Sequence, residues 1–133
     1  MANEISFSVR LSVSNPSAGS VPAGTLPATD SLTQQLSLTQ NAPGESAGVM
    51  SVPTTAGGTV LPVGSVTTSG FVTLTNLDAN NYVQYGPTSA GAIVVCGKLK
   101  PGETAVFRLD PSATLRLLAN AAAVNVQFKL FQD

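Results

Sequence analysis

The side chains that could carry out acid–base or nucleophilic chemistry are few in this sequence. Of 133 residues, seven are Asp or Glu, one is cysteine and none is histidine. Without histidine, the Ser-His-Asp and Cys-His arrangements, histidine general bases and most catalytic zinc sites are excluded. Two carboxylates could still form a glycosidase pair, but the acids are scattered and fall mostly in predicted turns. We therefore predict that the protein is not an enzyme.

The segment at residues 78–81 offers oxygen ligands at close spacing. Asp78-Ala79-Asn80 matches the first steps of a calcium-binding loop, but the central glycine and the closing glutamate of such a loop are missing. Asp and Asn also tolerate left-handed backbone conformations and hydrogen-bond to their own backbone. We therefore interpret Asp78, Asn80 and Asn81 as residues of a hairpin loop, and we predict no metal and no other cofactor.

Aromatic platforms for sugars or bases have little support. The chain lacks tryptophan, and aromatic residues make up 5% of it. Tyr82 and Tyr85 lie three residues apart in one predicted strand, so their side chains should point to opposite faces. No basic stripe accompanies them, which argues against nucleic-acid binding. We predict one tyrosine packed inward and one at a rim, with a sugar-binding or subunit contact as the alternative.

Arg108, Asp110 and Arg116 lie close together in the sequence. One interpretation is a solvated strand face with charges in its turns. The other is a contact between subunits, because arginine is enriched at interfaces and pairs with carboxylates. The sequence leaves both open.

Charge is scarce along the whole chain. Charged residues make up 10% of it and the net charge is −1, whereas typical globular proteins have about 25% charged residues. This balance gives no reason to expect nucleic acid or an anionic membrane as a partner, and no small-molecule substrate is indicated. Because interface cores are depleted of charge, the composition favours a surface covered by neighbouring chains. A free domain with a hydroxyl-rich surface is the alternative.

The best-specified local element is the turn Lys100-Pro101-Gly102-Glu103. Proline fixes φ near −65° for the second position of a turn, and glycine accepts the positive φ that the third position of a type II turn requires. Pro101 and Gly102 therefore predict a type II turn, which joins two apolar runs as a hairpin or a strand-to-strand corner. In the run before it, AIVVCGKL, the single cysteine Cys96 is interpreted as a small core residue.

Two terminal runs alternate between apolar and polar residues. Ile5, Phe7, Val9, Leu11 and Val13 alternate with polar residues in EISFSVRLSV. Near the other end, VNVQFKLFQD alternates in the same way. This period of two predicts strands in sheets that have one covered face.

Between the terminal runs, the two halves of the chain differ. Residues 14–64 are rich in Pro, Gly, Ser and Thr, and we expect an extended, arm-like, loop-rich region with a short strand in SLTQQLSLTQ. From residue 65 to 133, apolar runs and turn signals alternate quickly, which predicts a regular strand-rich core. We predict an all-β fold over 1–133: a single antiparallel β-sandwich domain, jelly-roll-like, with about eight strands.

The sequence of residues 71–133 also contains motifs that are found in a known group of proteins. They contain FVTLTNLDANNYVQYG and then KLKPGETAVFRLDPSATLRLLANAAAVNVQFKLFQD. This half resembles the C-terminal half of small β-rich virion proteins of tailed phages, which carry a tNlD.tNyV..G hairpin, an L.PGE turn, a P....l...A corner and a final amphipathic strand. The matching residues are Asn76, Leu77, Asp78, Asn81, Tyr82, Val83, Gly86, Leu99, Pro101, Gly102, Glu103, Pro111 and Ala119.

The resemblance implies a head decoration, or cement, protein. Such a protein would be a homo-oligomer, expected to be a trimer, on the capsid surface of the virion, where it contacts the major capsid protein and stabilises the head. The resemblance brings no catalytic or ligand-binding residues, and we expect synthesis in the host cytoplasm. A tail or baseplate β-module and a carbohydrate-binding module of a host-recognition structure are the alternatives.

Overall fold

The computed structural model describes residues 3–14, 29–40 and 44–133. The chain divides into two compact units, Met1–Gln40 and Asn41–Asp133. The described ranges contain β-strands and no helix, so the prediction of an all-β fold is confirmed. The strands are β1 (Asn3–Ser14), β2 (Thr29–Gln40), β3 (Glu45–Val52), β4 (Thr59–Val60), β5 (Ser69–Asn76), β6 (Val83–Gly86), β7 (Thr88–Ser89), β8 (Ala92–Ile93), β9 (Gly97–Leu99), β10 (Thr104–Arg108), β11 (Arg116–Ala119) and β12 (Val124–Gln132).

The first unit contains a long antiparallel pair, β1–β2. Each strand has 12 residues. The register runs without a break from Asn3 opposite Gln40 to Ser14 opposite Thr29. The polar–apolar alternation of EISFSVRLSV explains the extended conformation of β1. The predicted short strand in SLTQQLSLTQ is thus a full-length partner of the first strand.

The second unit is built from two four-stranded antiparallel sheets. In the first sheet the strand order is β10-β5-β12-β3, and in the second it is β4-β11-β6-β9. The small pair β7–β8 forms a separate ribbon. A β-sandwich was predicted over the whole of 1–133, and in the second unit the two sheets share one hydrophobic core.

The core follows from period-two patterning in the central strands. In β12 the residues alternate between buried and exposed from Val124 to Leu130, as the sequence predicts. In β5, Val72 and Leu74 have no exposed surface. Tyr85 on β6 and Phe107 on β10 stack across the two sheets, with ring centroids 5.3 Å apart. The other buried apolar side chains include Val52, Leu61, Val83, Leu99, Leu115, Leu117 and Ala119.

Two expectations about the second unit need correction. The loop after β5 does not close a hairpin, because β5 pairs with β10 and β12 whereas β6 pairs with β9 and β11; the loop connects the two sheets. Cys96 is exposed. It lies in the irregular segment between β8 and β9, where its backbone N–H donates to the carbonyl of Tyr85 at 2.9 Å, so the backbone follows β6 while the side chains face outward.

The sequence predicts a boundary at residue 65, between a loop-rich arm and a strand-rich core. Of the arm-like region 14–64, residues 15–28 and 41–43 lie outside them. The remainder includes β2, β3 and β4, and β3 pairs along its length with β12. Regular structure therefore begins before residue 65. That the whole of 1–133 forms a single domain stays a prediction.

Candidate functional site

Several of the turn residues singled out in the sequence meet around one buried side chain, that of Asn76. Asn76 has no exposed surface. Its Nδ2 donates to the carbonyl of Asn81 at 2.9 Å and to that of Leu99 at 3.1 Å, while its Oδ1 accepts from the backbone N–H of Asp78 at 2.9 Å. All the hydrogen-bonding groups of this amide are therefore engaged, as burial requires.

The backbone of Asn76 binds the turn at residues 100–103. Its N–H donates to Glu103 and its carbonyl accepts from Gly102, both at 3.0 Å. The turn itself is closed by the N–H of Glu103, which donates to the carbonyl of Lys100 at 3.1 Å. Gly102 has φ 77°, the positive value that type II geometry requires. Asn76 thus ties β5 of the first sheet to the end of β9 in the second.

In the loop at residues 78–81, the carboxylate of Asp78 accepts hydrogen bonds from the backbone of the same loop. Asp78 Oδ1 accepts backbone N–H groups from Asn80 at 2.7 Å and Asn81 at 2.6 Å. These donors, that of Asn81 foremost, hold the pKa of Asp78 below its ordinary value. Among the described residues no group of three potential metal ligands occurs. Asp78 Oδ1 is thus occupied by backbone donors of its own loop.

The two tyrosines are held by different neighbours. Tyr85 is half-buried against Phe107 in the core. Tyr82 lies just before β6, and Lys98 Nζ lies 4.9 Å from the centroid of its ring. The structure therefore does not bring Tyr82 and Tyr85 together into one platform.

The two arginines are also separate. Arg108 pairs with Asp133 at 2.7 Å and lies over the ring of Phe71, while 46% of its side chain is exposed. Arg116 is half-buried, and its Nη1 donates to the carbonyls of Gly57 and Gly58 at 3.2 Å. Both guanidinium groups are thus oriented by contacts within the second unit.

One motif bearing on catalysis spans the start of β3. Residues 44–48 read Gly-Glu-Ser-Ala-Gly, which matches the Gly-x-Ser-x-Gly pattern of α/β-hydrolases. In that pattern the serine sits on a sharp turn between a strand and a helix. Here Ser46 lies within a strand, and its hydroxyl donates to the carbonyl of Pro62 at 2.9 Å. Since the chain has no histidine to activate it, the match does not form a nucleophile elbow.

A cleft of about 290 Å³ lies between residues 60–69 and 109–115 of the second unit. Its lining includes Leu61, Val66, Leu109, Ser112 and Leu115 and contains no charged side chain. Small-molecule pockets usually enclose about 300–1,000 Å³ and place a few convergent polar groups within an apolar lining. This cleft is therefore small for such a ligand and has no charged group to orient one.

The feature that most requires a partner is one face of the β1–β2 pair. Val9, Leu11 and Leu32 are 46%, 57% and 56% exposed. The sequence predicts a covered face for this strand, and that prediction is wrong for the single chain at Val9 and Leu11. Contiguous exposed apolar surface marks interaction sites. We call this face, with Val9 opposite Gln34 and Leu11 opposite Leu32, the hairpin face.

Comparison with protein-family models, curated protein sequences and solved structures finds no match to this chain. Among the described residues, no helix has the length and apolar character needed to cross a membrane. The physical features of the two units are therefore the basis for any functional proposal.

Proposed function

We propose that this chain is a structural virion protein, a capsid decoration or cement protein that binds the major capsid protein and stabilises the head. The observation that carries the proposal is the hairpin face, where Val9, Leu11 and Leu32 are about half exposed. Burying apolar side chains is the main favourable term in protein association. A chain that displays such a face works by binding another protein surface.

Two further features support an assembly role. The turn residues that carry the resemblance to phage virion proteins meet around Asn76, so they make a rigid β-sandwich. Charged residues are 10% of the chain, and interface cores are depleted of charge. A compact β-sandwich unit, in a chain whose other unit carries an exposed apolar face, fits a protein that holds shell subunits together.

A heat-release experiment tests this function. Particles with and without the protein are heated, and release of their contents is measured. A ligand that binds only the intact shell stabilises that state by mass action, so particles lacking the protein should release at lower temperature. Because the proposed contact is mainly apolar, binding should change little between low and high salt.

The outcomes separate the candidate roles. Equal release temperatures would remove the cement function. Copy number and position in purified particles would distinguish a shell protein from a tail or baseplate module. Loss of binding at moderate salt would point instead to charged contacts around Arg108, and the hairpin face would lose its role in attachment or assembly.

A further inference from the structure

The cleft of the second unit has an apolar floor. The backbone N–H of Leu61 donates to the carbonyl of Leu115 at 2.9 Å, which holds the two sides of the cleft together. The buried apolar side chains that line it are those of Leu61, Val66, Leu109 and Leu115. All four belong to the hydrophobic core, so the cleft opens onto part of that core. Apolar surface at the floor of a cleft favours an apolar occupant.

Ser69 is the one buried polar residue that lines this cleft. It is 8% exposed, and in the described part of the chain its hydroxyl forms no hydrogen bond. Arg116 Nε is the only fully enclosed side-chain nitrogen or oxygen without a partner among the described residues, so the Ser69 oxygen retains contact with the space of the cleft. Buried polar groups are nearly always paired, because leaving one unpaired costs free energy. The Ser69 hydroxyl is therefore available to a polar atom of an occupant.

The polarity of the cleft limits what can occupy it. No charged side chain lines it, and an ion placed there would lose its hydration without gaining a counter-charge. An aliphatic side chain would cover the floor but would leave the hydroxyl of Ser69 unpaired. A phenol satisfies both requirements, since its ring is apolar and its O–H can donate to or accept from a hydroxyl. The cleft is therefore complementary to a tyrosine side chain.

The size of the cleft and its rim favour a side chain over a free small molecule. Its volume of about 290 Å³ is at the lower limit of pockets for drug-sized ligands. Val60 and Val63 also line it and are 41% and 45% exposed, so apolar surface continues outward from the cleft. Protein interfaces use this arrangement, in which an aromatic residue fills a pocket and the contacts around it exclude water. The neighbours of a tyrosine in its own chain can cover the two valines.

We propose that the cleft binds a tyrosine side chain of a partner protein, with the phenol oxygen hydrogen-bonded to the hydroxyl of Ser69. The ring packs on the apolar floor, and the residues on either side of the tyrosine pack on Val60 and Val63. The site lies wholly within the second unit. It depends neither on the hairpin face nor on the cement function.

Titration of the full-length protein with p-cresol and with toluene tests the hydrogen bond. p-Cresol is the tyrosine side chain alone, and toluene is the same group without the hydroxyl. Ser69→Ala should lower the preference for p-cresol over toluene about tenfold, the scale of one hydrogen bond in a buried site. Comparing this preference between variants cancels the different hydration of the two ligands. The methyl NMR signals of Leu61 and Leu115 should shift with both ligands, which locates binding in the cleft.

Thr114→Val is the matched control. Thr114 lines the same cleft and is exposed, so this variant removes a hydroxyl at the rim and should change the preference by less than about twofold. An unchanged preference in Ser69→Ala, or an equal fall in both variants, would overturn the proposal. Ala113→Leu extends a half-buried side chain that lines the cleft and should abolish binding of both ligands. Retained binding in a folded Ala113→Leu variant would place the ligand elsewhere and would also overturn the proposal.

Two peptides distinguish a partner protein from a free phenol. The peptide acetyl-Ala-Val-Tyr-Val-Ala-amide should bind at least about tenfold more tightly than p-cresol, because its valines cover the rim of the cleft. The same peptide with phenylalanine in place of tyrosine should bind more weakly, and Ser69→Ala should remove this difference. Binding of p-cresol without binding of the tyrosine peptide would overturn the assignment to a partner protein. Because these titrations use no particles, they separate failure of the cleft from failure of the cement function.

Discussion

Replacing Asn76 should strongly destabilise the second unit. Asn76→Ala removes three hydrogen bonds. The bond to the carbonyl of Leu99 is buried, and those with Asn81 and Asp78 are partly buried. A buried group left unpaired costs about 1–3 kcal/mol, and an ordinary hydrogen bond contributes about 0.5–1.5 kcal/mol. Together these give a loss of about 2–6 kcal/mol, which is a large part of a typical total stability of about 5–15 kcal/mol.

Urea unfolding followed by tyrosine fluorescence measures this loss. Both tyrosines of the chain lie in the second unit and there is no tryptophan, so the signal reports on that unit. With a slope of about 2 kcal/mol per molar urea, a loss of about 4 kcal/mol lowers the midpoint by about 2 M. The matched control is Asn125→Ala. Asn125 is exposed on β12, and such surface changes usually stay within about 0.5 kcal/mol.

Asn76→Asp separates lost hydrogen bonds from lost volume. Aspartate keeps the shape and the acceptor for Asp78, but it places an oxygen where Nδ2 donates to two carbonyls. At neutral pH it should be at least as destabilising as alanine. A midpoint for Asn76→Ala equal to that of Asn125→Ala would refute the view that this amide joins the two sheets.

Two further predictions concern the turns. Gly102→Val should lower the stability of the fold by about 1–3 kcal/mol. Backbone strain alone causes this loss, because a Cβ at Gly102 would meet no atom within 4 Å. Gly102→Asn should lower the stability less, since asparagine tolerates positive φ, and equal urea midpoints for the two variants would contradict this. Backbone donors lower the pKa of Asp78 in the folded state, the N–H of Asn81 first and then that of Asn80. The charged carboxylate therefore stabilises the fold at pH values above its unfolded pKa, and this stabilisation is lost as the pH falls through the folded pKa. Asp78→Asn should therefore reduce the loss of stability as the pH falls below the ordinary aspartate pKa of about 3.9, and an unchanged acid profile would count against it.

The turn chemistry was predictable because it is local. Pro101-Gly102 specifies a type II turn through φ preferences that need no distant partner, and the positive φ of Gly102 is confirmed. The role of Asn76 was not predictable in this way. Its side chain binds Leu99, 23 residues further along the chain, and only the packing of the two sheets brings them together. Cys96 was assigned to the core from its apolar neighbours, yet the chain there runs beside β6 outside a strand.

The two terminal strands show what alternation in a sequence means physically. In β12, Val124, Val126 and Leu130 have no exposed surface, because the second sheet covers the face they share. In β1, the same pattern leaves Val9 and Leu11 about half exposed. Alternation therefore predicts that one face of a strand is buried, but it does not predict which chain buries it. Where the fold of a single chain leaves such a face exposed, as at Val9 and Leu11, the apolar residues favour a contact with another chain.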